Sequence, residues 1–179
     1  MAVKTGSAPC ANLDMEKNLS RVLTTVAALL LMHLGLALQT ARAAEPFLSV
    51  TGQVAKPLHL SLADLRAIPA SHVSATQLSG RGPVALDCAG VALSLLLARA
   101  SPSIGSQRNA GLAHTLLITG DDGYAVALSF GEFDPDYGHT TPIIATDCDG
   151  KPLEAPRLVV PGDLHAGRAV RGVVTIDVR

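Results

Sequence analysis

The closing stretch Pro156–Arg179, PRLVVPGDLHAGRAVRGVVTIDVR, decides how the rest of the chain is read. An apolar strand, Arg157 to Val160, runs into a Pro161-Gly162 turn, and an alternating strand, Val170 to Val178, closes the chain. Between them lies a short polar loop with His165, Gly167 and two arginines three apart, Arg168 and Arg171. Arginine offers a planar fork to an oxyanion, and glycine lets backbone N–H groups approach a ligand closely. The pattern suits a small anion held at a strand entrance. Taken alone, it reads first as a β-hairpin whose arginines are solvated.

The front of the chain has a different character. Lys17 and Arg21 precede an uncharged run of 17 residues, Val22 to Leu38, followed by Ala41-Arg42-Ala43 before Ala44. A basic segment, an apolar segment and an A-x-A site describe a secretory signal peptide over residues 1–43, with Met15 an alternative start. The run is short of the ~20 residues that span a bilayer, and His33 and Gly35 interrupt it. An uncleaved anchor is the other reading. Export places the mature domain, residues 44–179, in the periplasm.

That mature segment is 136 residues long, enough for one domain with a sizeable core. In it, 8 Arg and 2 Lys stand against 10 Asp and 3 Glu, a net charge of −3. It has no basic run to track a phosphate backbone and no tryptophan for base stacking, so nucleic acid is not an expected partner. Cys10 falls in the leader. Cys88 and Cys148 remain, and an oxidising compartment permits either a disulfide or two separate thiols.

Periodicity predicts a strand over Phe47 to Val54, a capped helix begun by Ser61-x-x-Asp64 and ended by Pro69, and a strand over His72 to Leu78. Residues 79–83 read as a flexible loop, and Gly90 to Ala100 as the clearest helix. His114 to Thr119 and Tyr124 to Ser129 form a hairpin around Gly120-Asp121-Asp122-Gly123. Thr141 to Thr146 adds a further strand. Short helices among many strands predict an α+β domain with a mixed, mostly antiparallel sheet.

Five segments, in order, resemble the molybdopterin-binding domain of the sulfite oxidase fold. They are Leu58–Ala70 as its entry helix, Ala89–Ala100 as its G-V-x-L-x-x-L-L helix, Asp121–Phe133 as its D-G-Y strand, Ala145–Leu153 as its D-G-x-P-L hairpin, and the closing stretch. The resemblance covers about residues 47–179. It implies a pterin or molybdopterin-like ligand bordered by Arg168, Arg171, His165, Gly162 and Gly167, with Tyr124 at the pocket wall. Catalytic members of that family carry a molybdenum-binding cysteine at the place that here falls on Gln77 to Ser79. No cysteine stands there, and Cys88 is too close to Gly90 to replace it. A soft thiolate is what would hold the metal. The resemblance therefore implies a small periplasmic pterin-binding protein that passes its signal to a periplasmic or membrane partner, without molybdenum or redox catalysis. The alternative is a molybdopterin-dependent oxidoreductase.

Other constellations carry less. Glu132, Asp134, Asp136 and His139 could chelate a hard cation but read as a solvated turn around Pro135. Asp147, Asp149 and Glu154 do not fit a calcium loop, because Gly150 arrives too early. No G-x-S-x-G elbow marks a serine hydrolase.

Overall fold

A computed structural model describes residues 48–134 and 136–179. The segment 1–43 expected to be a signal peptide, the alternative start at Met15, Phe47 and Pro135 lie outside the described residues. Two sheets carry the fold. The first holds β1 (Leu48–Gly52), β2 (Leu58–Leu60), β5 (Thr115–Gly120), β6 (Ala125–Ser129) and β9 (Val173–Val178), in the order β2-β1-β9-β5-β6. β1 and β9 run parallel with Val50 opposite Ile176, and the other pairs are antiparallel. The second holds β3 (Ser71–Ser79), β4 (Gly82–Ala92), β7 (Ile143–Cys148) and β8 (Lys151–Val159), antiparallel throughout. Among the described residues, two short helices, α1 (Leu62–Ala67) and α2 (Leu93–Ala100), complete the α+β fold that the periodicity predicts.

The main core is built from alternation. Leu48 and Val50 of β1, Leu116 and Ile118 of β5, and Ile176 and Val178 of β9 turn one face of the first sheet inward. Leu93, Leu96 and Leu97 of α2 join the same cluster, together with Ile144 and Leu158 from the second sheet. Each such side chain contributes roughly 1.5–3 kcal/mol by leaving water. A smaller apolar cluster gathers Val73, Cys88, Ile143, Ala145, Cys148 and Val159. Cys88 and Cys148 are direct partners across β4 and β7 and are joined as a disulfide, with Cα atoms 4.1 Å apart. The pairing that the sequence left open is thereby decided.

Several boundaries differ from expectation. Residues 79–83 are not a flexible loop: Ser79 pairs with Gly82, and Gly80-Arg81 is the tight turn of a long hairpin. Gly82 has φ +109°, a backbone conformation that glycine adopts at little steric cost. The entry segment begins as a strand, since Leu58–Leu60 pairs with β1 before Ser61 caps α1. Ser61 accepts from the Asp64 backbone and Asp64 accepts from the Ser61 backbone, so the predicted capping box is present.

The leucine-rich helix starts at Leu93, not Gly90, because residues 90–92 finish β4 beside Ile144. A Cβ at Gly90 would lie 2.2 Å from the Ile144 carbonyl oxygen, so strand packing fixes glycine there. The first helical N–H, of Leu93, is satisfied by the Pro142 carbonyl at 2.9 Å rather than by a capping side chain. The third strand of the second sheet is Ile143–Cys148 rather than Thr141–Thr146, and its partner begins at Lys151, well before Arg157. The final strand begins at Val173, since Gly172 turns the chain at φ +56°.

Candidate functional site

The loop from Pro161 to Gly172 connects β8 to β9 and collects the residues singled out in the sequence. Its Pro161-Gly162 start turns on a positive φ of +87° at Gly162. It then crosses to the end of β3, where the Leu78 N–H donates to the Leu164 carbonyl at 2.7 Å and Leu78 bridges His165. A single 3-10 turn follows, Ala166–Arg168. The loop returns to β8 through Leu158 N–H to Val170 O, 2.8 Å, and to the β5–β6 turn through Asp121 N–H to Gly172 O, 2.8 Å.

Two side chains hold the middle of this path. Tyr124, in the turn between β5 and β6, donates its hydroxyl to the Gly167 carbonyl at 2.6 Å. Arg168 is gripped from two sides. Its Nε and one terminal nitrogen reach the two oxygens of Asp163 at 3.0 and 2.5 Å, and the other terminal nitrogen reaches Glu132 at 2.6 Å. The second Glu132 oxygen accepts the Ser129 N–H at 3.0 Å, which closes a capping box on the 3-10 turn Phe130–Glu132. Hydrogen bonding to Asp163, then to Glu132, raises the Arg168 guanidinium above its ordinary range against the opposing effect of burial. Glu132 thus belongs to an ion-pair network and not to a solvated turn.

The contacts divide the two arginines of the closing loop. Arg168 is committed to carboxylates of its own chain and shapes the loop. Arg171 is exposed, makes no ion pair among the described residues, and stands opposite Arg157 across an isolated antiparallel bridge. His165, Gly162 and Gly167 are exposed beside it in sequence. Beyond their chain neighbours, no atom lies within 4 Å of where a side chain would begin at Gly162 or Gly167, so the space beside each Cα is open, while the Gly167 carbonyl is taken by Tyr124.

Reading the sequence missed three participants. Asp163 and Glu132 carry the network around Arg168, and Arg157 faces Arg171. The five-residue spacing of Asp163 and Arg168 hints at the first, whereas Glu132 comes from the 3-10 turn after β6 and Arg157 from β8. Three surface cavities, of about 260, 430 and 280 Å³, are lined from elsewhere. Asp134, Asp136 and Tyr137 border the first, Ser74, Asp87 and Asp149 the second, and His72 and Asp147 part of the third. Among the described residues, no three His, Cys, Asp or Glu side chains gather as metal ligands would.

No family model matches the chain, and no curated protein matches it. Among solved structures, the chain is similar to the sulfane dehydrogenase SoxCD from Paracoccus pantotrophus, at 21% identity and a TM-score of 0.60. The match covers 73% of this chain and 37% of that one. Two mostly antiparallel sheets with few short helices, arranged as in that enzyme, give this chain a sulfite oxidase-like fold.

Proposed function

We propose that this protein is an exported, periplasmic ligand-binding domain that takes up a pterin or molybdopterin-like ligand and reports it to a periplasmic or membrane-bound partner, without redox catalysis. The observation that carries this reading is the braced closing loop. Arg168 and Tyr124 fix its path, leaving Arg171, His165 and the uncrowded glycines Gly162 and Gly167 at its surface. A loop already held in shape loses little freedom on binding, so its polar groups can hold a small ligand effectively. Arg171 supplies cationic donors, His165 a ring nitrogen, and Tyr124 an aromatic wall with 51% of its surface exposed.

The donor set fits the organic part of such a cofactor better than a metal. The segment Gln77-Leu78-Ser79 offers no thiolate, and Cys88 and Cys148 are bonded to each other. When bound, a pterin supplies ring nitrogens and oxygens for hydrogen bonding. Calorimetric titration of the purified protein with a soluble pterin, in oxidised and tetrahydro forms, tests the reading. Binding should weaken by roughly ten- to a hundred-fold in Arg171→Ala, the loss of one charge-assisted hydrogen bond. Absence of binding by the wild type would reject it.

The likeness to a sulfane dehydrogenase favours a second reading, a molybdopterin-dependent oxidoreductase. Metal analysis of protein expressed with an intact cofactor pathway separates the two. Stoichiometric molybdenum would replace the first reading with the second.

A further inference from the structure

We propose that the open edge of β3 pairs with the same edge of a second copy of this chain, in antiparallel register about Ser74. Among the described residues, each sheet ends in two edge strands, and three of these four edges are blunted. β2 and β6 are only three and five residues long. β8 carries Lys151, Glu154 and Arg157, and its Pro152 and Pro156 have no N–H to offer. The closing loop also takes the Leu158 N–H of that strand. Short strands, charges, prolines and a covering loop are the usual guards against edge-to-edge pairing. β3, SHVSATQLS, is nine residues long and has no charge and no proline.

The register follows from which backbone groups point outward. Ser79 faces Gly82 across the two-residue turn Gly80-Arg81, so that pair exchanges hydrogen bonds and the next, Leu78 with Pro83, does not. Accordingly the Leu78 N–H turns away from β4 and donates to the Leu164 carbonyl at 2.7 Å. The same alternation turns the backbone of His72, Ser74 and Thr76 outward, and among the described residues none of these groups meets a partner. Their side chains are exposed. Because the closing loop takes Leu78, the free stretch is residues 71–77, and its middle residue is Ser74. Pairing about a two-fold axis at Ser74 sets Ser74 opposite Ser74, and His72 opposite Thr76 of the second copy. Each such pair exchanges both its N–H···O bonds, and no charge faces a like charge. Ser71, where β3 begins, then faces Gln77, so each strand starts where the closing loop begins to cover its neighbour. The edge therefore fits its own copy at both ends. An interface this small belongs with transient ones.

This inference is independent of the proposed pterin site. Sedimentation velocity of the purified protein, from micromolar to millimolar concentration, tests it, with residue-resolved amide exchange as a second readout. The wild type should dimerise as concentration rises, and the His72, Ser74 and Thr76 amides should exchange more slowly as it does. The Leu78 amide, already bonded to Leu164, should keep its rate. Ser74→Lys and Ser74→Glu each set like charges opposite one another, so either alone should dimerise about five-fold more weakly. An equimolar mixture of the two should form a heterodimer. The exchange readout needs no variant and keeps the test decisive should either one not fold. A wild type that stays monomeric at every concentration overturns the proposal and leaves the edge to an extended segment of another protein. A dimer whose His72, Ser74 and Thr76 amides exchange at unchanged rates, or one as strong in both charge variants as in the wild type, overturns it equally.

Discussion

Arg168 and Asp163 meet as fork on fork, two N–H···O bonds of 3.0 and 2.5 Å, inside the loop that joins the two sheets. Asp163 keeps 15% of its side-chain surface exposed and Arg168 34%, so solvent screens the pair only in part. With Glu132 as a second acceptor, the guanidinium holds the closing loop together from Asp163 to Arg168 and ties it to the 3-10 turn after β6. Bidentate pairs in a network are the surface ion pairs that contribute measurably to stability.

Arg168→Met should therefore destabilise the domain by about 1–2 kcal/mol, already discounted for exposure. Thermal and urea unfolding measure it, and Arg168→Lys should restore only part of the loss because an ammonium cannot fork. A melting temperature unchanged in Arg168→Met would remove Arg168 from its bracing role.

Tyr124→Phe deletes the hydroxyl that reaches Gly167 and little else. Its global cost should be small, about 0.5–1.5 kcal/mol. The local effect should be larger. Amides of residues 161–172 should exchange with deuterium faster in the variant, while those of β5 and β9 keep wild-type rates. Uniform acceleration across the domain would contradict a local clamp.

Reducing the Cys88–Cys148 bond releases a cross-link between residues separated by 60 positions. Removal of such a link typically costs about 2–4 kcal/mol. The oxidised protein should thus melt clearly above both the reduced protein and the Cys88→Ala/Cys148→Ala variant. Equal melting of all three would mean that the bond adds nothing to the apolar cluster around it.

The α1 cap should titrate on the acid side. The hydrogen bond from the Ser61 side chain, then that from its backbone, depresses the Asp64 carboxyl below its ordinary value of 3.8, against a slight opposing effect of burial. A carboxyl depressed on folding adds stability that is fully present above the unfolded value and is lost as pH falls through the folded one. Wild type should melt above Asp64→Asn at pH 7, and the gap should shrink progressively as pH falls below 3.8. A gap that persists unchanged into acid would show that charge on Asp64 plays no part in the cap.

Local chemistry along the chain determined a good deal. The Ser61–Asp64 box, the hairpin around residues 120–124 and the Pro161-Gly162 turn each depend on neighbours within a few positions, and each forms as read. Alternation in β1, β3 and β9 is likewise legible, because a strand with one buried face repeats every two residues. From these, an α+β domain with mostly antiparallel pairing follows.

Contacts across the sheets decided the rest. Gly90-Val91-Ala92 reads as the start of a helix, yet the close approach of Ile144 draws it into β4, and the Pro142 carbonyl sets the first helical turn at Leu93. The cysteines could be judged paired only once β4 and β7 stood side by side. The closing loop makes the same point for the site. Its two arginines look equivalent three positions apart, but Glu132 lies 36 residues from Arg168 in the chain, and Arg157 comes from the neighbouring strand. Which arginine meets carboxylates and which meets another cation depends on strand register, and register is set by packing of the whole fold rather than by the residues of the loop.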